Sequence, residues 1–339
     1  MGGKAFLNVE PVPLAAINIL SAWVASIFEL RDSSDLNQIH EFYLGLVSSM
    51  KGGNPDNGNN LHELFVKNGL RWLGSTGKKL VSGDIDIAVS SDDWTYDSLL
   101  EFLTDRFPPN CVNGNASLNQ IYTKMEYHTC EGSAWHQIDF MVGEVDLLSF
   151  THWSPRPGSS SWSGSHRTEL IKTVAKVKSK WTQFDANGEM IGRIGYTLNH
   201  DKGLAHGARY ATARKDGTGY VKKMVPVTIE NLEDFVDTAM DRECIQTGKF
   251  ISLENIPDKD LVTQTYTDPL VIAALLFGVN TRIESLNSYE EVVDVILANT
   301  ELRKHIDLIW KLYVQRLNQI GQPIPSPTIN ELFVIRGLN

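Results

Sequence analysis

Leu73-Gly74-Ser75-Thr76-Gly77-Lys78-Lys79-Leu80-Val81-Ser82-Gly83-Asp84-Ile85-Asp86-Ile87-Ala88-Val89 is the stretch on which the reading of this chain turns. A Gly-Ser turn carrying two lysines runs into a pair of carboxylates one residue apart, set in an apolar run. In a strand, side chains at i and i+2 leave from one face, so Asp84 and Asp86 point together, about 7 Å apart by strand rise. Ile85, Ile87 and Val89 face the other way. Like charges held that close repel, and one pKa rises unless a cation sits between them. The pattern predicts a divalent metal site beside a phosphate-binding turn.

A third carboxylate lies further along, in Trp135-His136-Gln137-Ile138-Asp139-Phe140-Met141-Val142. Asp139 stands alone on a strand whose other face is Ile138, Phe140 and Val142, and a carboxylate amid that much apolar surface is costly unless paired or metal-bound. Asp146, in Glu144-Val145-Asp146-Leu147, is the rival; Asp139 is preferred for its strand-like flanks. Three aspartates from adjacent strands suit two-metal phosphoryl transfer, in which one ion holds a triphosphate and the other lowers the pKa of an attacking hydroxyl.

Downstream, Ser161-Trp162-Ser163-Gly164-Ser165 precedes a helix expected to begin near His166, and Gly195-Tyr196-Thr197-Leu198-Asn199 reads as a strand. Taken with the Gly-Ser turn, the Asp-Ile-Asp strand and the distant Asp139, these elements resemble the DNA polymerase β-type nucleotidyltransferase superfamily over about 130 residues, from 70 to 200. The resemblance implies an α+β fold, with a palm built on a small mixed sheet. It implies that amides near Gly74 and Ser75, with the Ser75 hydroxyl, bind the β- and γ-phosphates of an NTP, and that Lys78 or Lys79 neutralises them. Asp84 and Asp86 would bind two Mg²⁺ ions, with Mn²⁺ an acceptable substitute, and Asp139 the catalytic one. Trp162 would lie beneath the nucleotide sugar, Gly164 would let the backbone come close, and Ser165 would contact the nucleotide or cap the helix. Gln137 and His136 stand where the family has arginines. No helix-hairpin-helix module is visible in residues 1–69, and the arginine-rich signature of CCA-adding enzymes is missing.

The chain divides by pattern into three sections. Residues 1–69 read as an N-terminal helical region, with helices after Pro13, from Ser34 to Met50 and from Leu61 to Asn68, and a turn-rich loop at 52–59. Residues 70–225 read as the α/β palm, with strands at Leu70–Leu73, Ile85–Val89, Ile121–Tyr127 and His136–Val142 and a helix from Trp94 to Arg106. A hairpin is expected through Trp181–Phe184, an Ala186-Asn187-Gly188 turn and Met190–Ile194. Residues 199–223, rich in Gly, Lys, Arg and His, read as a mobile loop. Residues 226–339 return to helices, at Leu232–Met240, Pro269–Phe277, Tyr289–Ala298 and Glu301–Ile320.

Composition sets the outer bounds. The 339 residues are 42% hydrophobic and 21% charged, ordinary for a globular protein. Three widely spaced cysteines without a C-x-x-C pair argue against a disulfide framework or thiolate zinc site and fit a reducing, cytoplasmic compartment. No stretch has the roughly 20 clean apolar residues of a membrane span. The formal net charge is −10, yet between Arg167 and Lys223 there are 12 Lys/Arg against 5 Asp/Glu, a local +7 that leaves −17 elsewhere. Lys172, Lys176, Lys178 and Lys180 form either a positive ridge for phosphates or a solvated helix face. The activity that the resemblance implies is Mg²⁺-dependent transfer of a nucleoside monophosphate from ATP or another NTP to an acceptor hydroxyl. The favoured acceptor is the 3′ end of RNA or DNA, without a template. Nucleotidylation of a small molecule or protein, and an inactive nucleotide-binding scaffold, are the alternatives.

Overall fold

The computed structural model describes residues 6, 8–51, 57–129, 132–178, 181–184, 190–213, 220–225 and 264–335. The chain forms two compact units, Met1–Ser165 and His166–Asn339. The fold is α+β, with a mixed sheet and many helices.

The first unit opens with a short strand, β1 (Val12–Pro13), and three helices, α1 (Leu14–Glu29), α2 (Leu36–Lys51) and α3 (Asn57–Lys67). The third helix starts inside the Gly/Asn-rich run that reads as a loop in sequence; residues 52–56 of that run lie outside the described residues. There follow β2 (Leu70–Trp72), β3 (Val81–Ser82), β4 (Ile85–Ser90), α4 (Tyr96–Arg106), β5 (Val112–Asn115), β6 (Gln120–Thr129), β7 (Gly132–Gly143) and α5 (Val145–Thr151). The helix expected from Trp94 begins at Tyr96 because Thr95 caps it. The Thr95 side chain accepts from Ser98 N, and the Ser98 hydroxyl accepts from Thr95 N.

Five strands form one sheet in the order β2-β4-β7-β6-β5. β4 and β7 run parallel and the other pairs antiparallel. Alternation along each strand gives the sheet two unlike faces. One carries Ile85, Ile87, Val89, Ile138, Phe140, Val142 and Ile121 and is buried beneath Ile17, Leu20, Phe28, Phe65, Leu99 and Leu103 from the helices. Phe28 stacks on Phe140 with ring centroids 6.1 Å apart. On the opposite face α5 covers one end, its Leu148 packing with Ala88, Met141 and Leu73. One residue pair back along the same face stand Asp86 and Asp139.

The second unit takes up α6 (Gly164–Val177) from its third residue and continues into β8 (Trp181–Phe184), β9 (Met190–Asn199), β10 (Gly203–Ala213), β11 (Tyr220–Val225) and β12 (Gln264–Tyr266). The strands form a sheet in the order β11-β10-β9-β8, with β12 also pairing β10. The β8–β9 hairpin is present as expected, although its Ala186-Asn187-Gly188 turn lies outside the described residues. The reading of 199–223 as a mobile loop is corrected, because most of that stretch is the β10–β11 pair. Antiparallel backbone ladders on both sides of β10 hold it, and composition does not register them.

Helices α7 (Pro269–Phe277), α8 (Tyr289–Ala298), α9 (Thr300–Arg303), α10 (Ile306–Ile320) and α11 (Ile329–Ile335) complete the described residues. Asp268 caps α7 ahead of Pro269, and Ser288 caps α8 by accepting from Glu291 N. The single helix expected over Glu301–Ile320 is divided in two, since Lys304 and His305 tighten into a turn in which His305 N donates to Leu302 O. The expected Leu232–Met240 helix lies outside the described residues. Among the described residues no helix is long and apolar enough to cross a membrane.

Candidate metal centre

The parallel register of β4 and β7 sets Asp86 directly opposite Asp139. Asp84 enters one residue before β4, two positions from Asp86, and reaches the same place. One carboxylate oxygen from each of the three lies within 4.8 Å of the others, and among the described residues this is the one such group of acidic, histidine or cysteine side chains. The apolar halves of the two strands, Ile85, Ile87, Ile138 and Phe140, are fully buried and fix the backbones from behind. Asp146 is not part of the group: it stands in the first turn of α5, exposed, and accepts from Arg71 Nη1.

Three carboxylates at this spacing strain one another. At an effective dielectric near 20, each charged pair is unfavourable by roughly 3–4 kcal/mol at such a distance. Burial pushes the Asp139 carboxyl up to about 7, and the neighbouring Asp84 charge adds to the shift. Gln137, two residues back on β7, works in the opposite direction, its Nε2 donating to Asp139 Oδ1 at 2.8 Å. Asp86 is held well above the usual carboxylate range, first by burial of its carboxyl and then by the charges of Asp84 and Asp139. A proton or a cation relieves this repulsion, and an all-oxygen donor set suits a hard divalent ion such as Mg²⁺ or Mn²⁺. The residues present therefore fit the ion.

The Gly-Ser turn is built onto the same carboxylates. Gly74 has φ +57°, and a Cβ there would lie 2.6 Å from Asp86 Oδ2, so only glycine lets the turn sit this close. Asp86 N donates to Thr76 Oγ1 at 2.9 Å, and Thr76 is buried. The Ser75 carbonyl accepts from Ser82 Oγ at 3.1 Å and from Lys78 N at 3.0 Å, which ties the turn shut. Lys78 Nζ donates to Ser154 O at 2.9 Å and lies 3.8 Å above the centre of the Trp153 ring. Lys79 is exposed.

Trp153 and Ser154, which sequence reasoning did not single out, join the turn to the Ser-Trp-Ser-Gly-Ser element. Gly74 N donates to His152 O at 3.0 Å, and Gly74 forms a parallel bridge with Trp153. A Cβ on Gly164 would overlap the Trp153 carbonyl oxygen and press on Ser154 Cα at 3.0 Å. Trp162 is half-buried, with its backbone N–H donating to Ser160 Oγ at 3.0 Å. The hydroxyls of Ser163 and Ser165 are hydrogen-bonded at 2.7 Å. Nothing in the pattern Thr151-His152-Trp153-Ser154-Pro155 marks this joining role, because it is played by backbone atoms. His166 and Arg167 are buried within the second unit, where His166 Nε2 bonds Pro323 O at 3.0 Å and Arg167 Nε donates to Leu286 O. Both side chains are therefore committed to packing.

The chain matches no protein-family model and no curated protein. It is similar in structure to the ternary gap complex of Leishmania infantum polymerase beta, at 14% identity and a TM-score of 0.31, over 77% of this chain and 79% of that one. It is also similar to the ternary P/T complex of the same polymerase, at 14% identity and a TM-score of 0.26, over 54% and 69% of the two chains. Scores of this size define no family, and the chemistry of the site is read from its own residues.

Proposed function

We propose that this protein is a Mg²⁺-dependent nucleotidyltransferase, moving a nucleoside monophosphate from an NTP to an acceptor hydroxyl, with the 3′ end of a nucleic acid the favoured acceptor and no template required. The observation that carries the proposal is the convergence of Asp84, Asp86 and Asp139 within 4.8 Å, with the Gly74 backbone seated on the Asp86 carboxylate.

Bound to the three carboxylates, two Mg²⁺ ions would neutralise the triphosphate and ease ionisation of the acceptor hydroxyl. The remaining work falls to the chain. Asp84 and Asp86 would hold both ions, and Asp139 the catalytic one. The Ser75 amide and hydroxyl cradle the β- and γ-phosphates, as backbone N–H groups in a turn can, while the Gly74 N–H is held by His152 O. Lys78 and Lys79 add positive charge at that turn. Trp162 packs beneath the sugar, Gly164 lets the backbone approach it, and Ser165 contacts the nucleotide or caps α6. The acceptor hydroxyl gives up its proton to solvent, its oxygen attacks the α-phosphorus, the bond from that phosphorus to the α,β-bridging oxygen breaks, and pyrophosphate leaves with its electron pair. Positioning and charge neutralisation supply most of the rate in such a reaction.

Incubation with α-labelled ATP, CTP, GTP or UTP, Mg²⁺ and separate pools of RNA, DNA, protein and small hydroxyl compounds tests the proposal. Label on a lengthened nucleic acid is the expected result. Label on protein or a small molecule moves the acceptor to the alternative class. No label on any pool overturns the transferase.

A further inference from the structure

Gln137 and Asp139 are two residues apart on β7, so their side chains leave the sheet from one face, with Cα atoms about 7 Å apart by strand rise. Backbone ladders hold both positions. Asp139 stands opposite Asp86 on β4 and Tyr122 on β6, and Gln137 stands opposite Lys124 on β6. What the ladders leave soft is the last torsion of the aspartate, an sp³–sp² bond with a broad, two-fold profile. The strand fixes where the Asp139 carboxylate starts, and not how its plane is turned.

The forces on that plane are unequal. Asp84 and Asp86 bring carboxylate oxygens within 4.8 Å of it, and turning away from them would relieve part of the repulsion. Gln137 opposes this turn. Its Nε2 donates to Asp139 Oδ1 at 2.8 Å, and both residues are buried, Gln137 at 3% and Asp139 at 7% exposed. An ionised carboxylate only accepts, so the amide has to present its NH₂ end. A hydrogen bond to a charged acceptor is among the stronger ones, and at this depth bulk water competes poorly for it.

The length and the neutrality of the side chain both matter. Glutamine spans the interval from one residue to the next on the same strand face, whereas asparagine is one methylene shorter. An amide also orients a carboxylate without neutralising it. A lysine or arginine at this position would hold Asp139 too, but would cancel one of the charges that attract a cation.

We infer that Gln137 is the positioning residue of the metal centre: its amide fixes the plane of the Asp139 carboxylate toward Asp84 and Asp86, so that the three form an ion site before an ion arrives. The inference rests on the metal-binding part of the proposed function and on no choice of acceptor. Supporting hydrogen bonds of this kind orient metal ligands and contribute to affinity without touching the ion.

Mn²⁺ affinity, followed by electron paramagnetic resonance without nucleotide, tests it in the wild type, Gln137→Met, Asp139→Ala and the double variant. Each is first shown to be folded by a cooperative unfolding transition in EDTA. Methionine is close to glutamine in length and brings no donor. Gln137→Met is expected to lower affinity by about 10- to 100-fold, as loss of a ligand's supporting partner does. In the Asp139→Ala background the same change should have little further effect, since no carboxylate is left to hold. Should Gln137→Met fail to fold, Gln137→Asn, which keeps the amide but falls short of Asp139, carries the same expectation. A folded Gln137→Met with wild-type affinity overturns the inference, as do losses that add fully in the double variant. Label transfer is scored separately. A wild type that transfers no label, yet depends on Gln137 for Mn²⁺ affinity in this way, overturns the transferase and supports the positioning role.

Discussion

Asp86 and Asp139 face each other across two parallel strands, paired residue for residue, with the next pair along the same face, Ala88 and Met141, buried under α5. The strand pairing brings two carboxylates together from positions more than fifty residues apart in the chain. Packing on the opposite face of the sheet prevents them from moving apart, so their repulsion persists in the folded state.

One consequence concerns stability without metal. Asp139→Asn removes a carboxylate that is 7% exposed and keeps its shape. In EDTA the variant is expected to unfold several degrees above the wild type, since relieving about 1–3 kcal/mol moves the midpoint by that much in a unit of this size. Added Mg²⁺ should raise the wild-type midpoint and leave the variant nearly unmoved, and label transfer should vanish. Calorimetric or fluorescence melts with and without Mg²⁺ check all three.

The same carboxyl fixes the sign of a pH effect. Asp139 is raised from 3.8 to about 7 in the folded protein, so between those values the native state binds more protons than the unfolded chain. Stability in EDTA should therefore fall as pH rises from about 4 to 7 and level off above, by on the order of 4 kcal/mol from this group at most. Asp86, also raised, acts in the same direction. Saturating Mg²⁺ should flatten the dependence, and a denaturant series across that pH range measures it.

Gly74→Ala tests the seat of the turn. The substitution places a methyl group 2.6 Å from Asp86 Oδ2 at φ +57°, a strain of about 1–3 kcal/mol. Part of it is expected to be relieved by displacement of the Asp86 carboxylate, so Mn²⁺ affinity should fall along with stability. Gly83→Ala, where a Cβ meets nothing within 4 Å, is the control and should change neither by much.

Trp162 is half-buried in the segment that leads into α6. Trp162→Ala is expected to shift the preference between NTP and dNTP by more than it shifts the unfolding midpoint. Competition between labelled ATP and dATP decides the matter, and unchanged discrimination returns Trp162 to a packing role.

The three aspartates, the Gly-Ser turn and the strands that carry them were legible because each depends on local pattern: alternation in β4 and β7, and a carboxylate that no apolar strand keeps without a partner. Contacts made by backbone were not. Trp153 and Ser154 meet Gly74 and Gly164 through carbonyl and Cα atoms, which leave no signature in side-chain chemistry. The β10–β11 pair was hidden for a similar reason, since ladder hydrogen bonds hold strands whose glycines, lysines and arginines show no clear period. The lysine ridge shows a third kind of limit. Spacing alone could not tell that Lys178 turns inward while Lys172 is held by Glu169, because Leu275 and Arg316 come from distant helices.

The central claim is that Asp84, Asp86 and Asp139 together hold divalent metal, and a Mn²⁺ titration followed by electron paramagnetic resonance tests it most directly. Wild-type protein is expected to remove Mn²⁺ from the free-ion signal, Mg²⁺ should return it, and Asp84→Asn, Asp86→Asn and Asp139→Asn should each weaken binding at least tenfold while remaining folded. Wild-type protein that leaves the free-ion signal unchanged, or an Asp139→Asn variant that binds as tightly as the wild type, would contradict it.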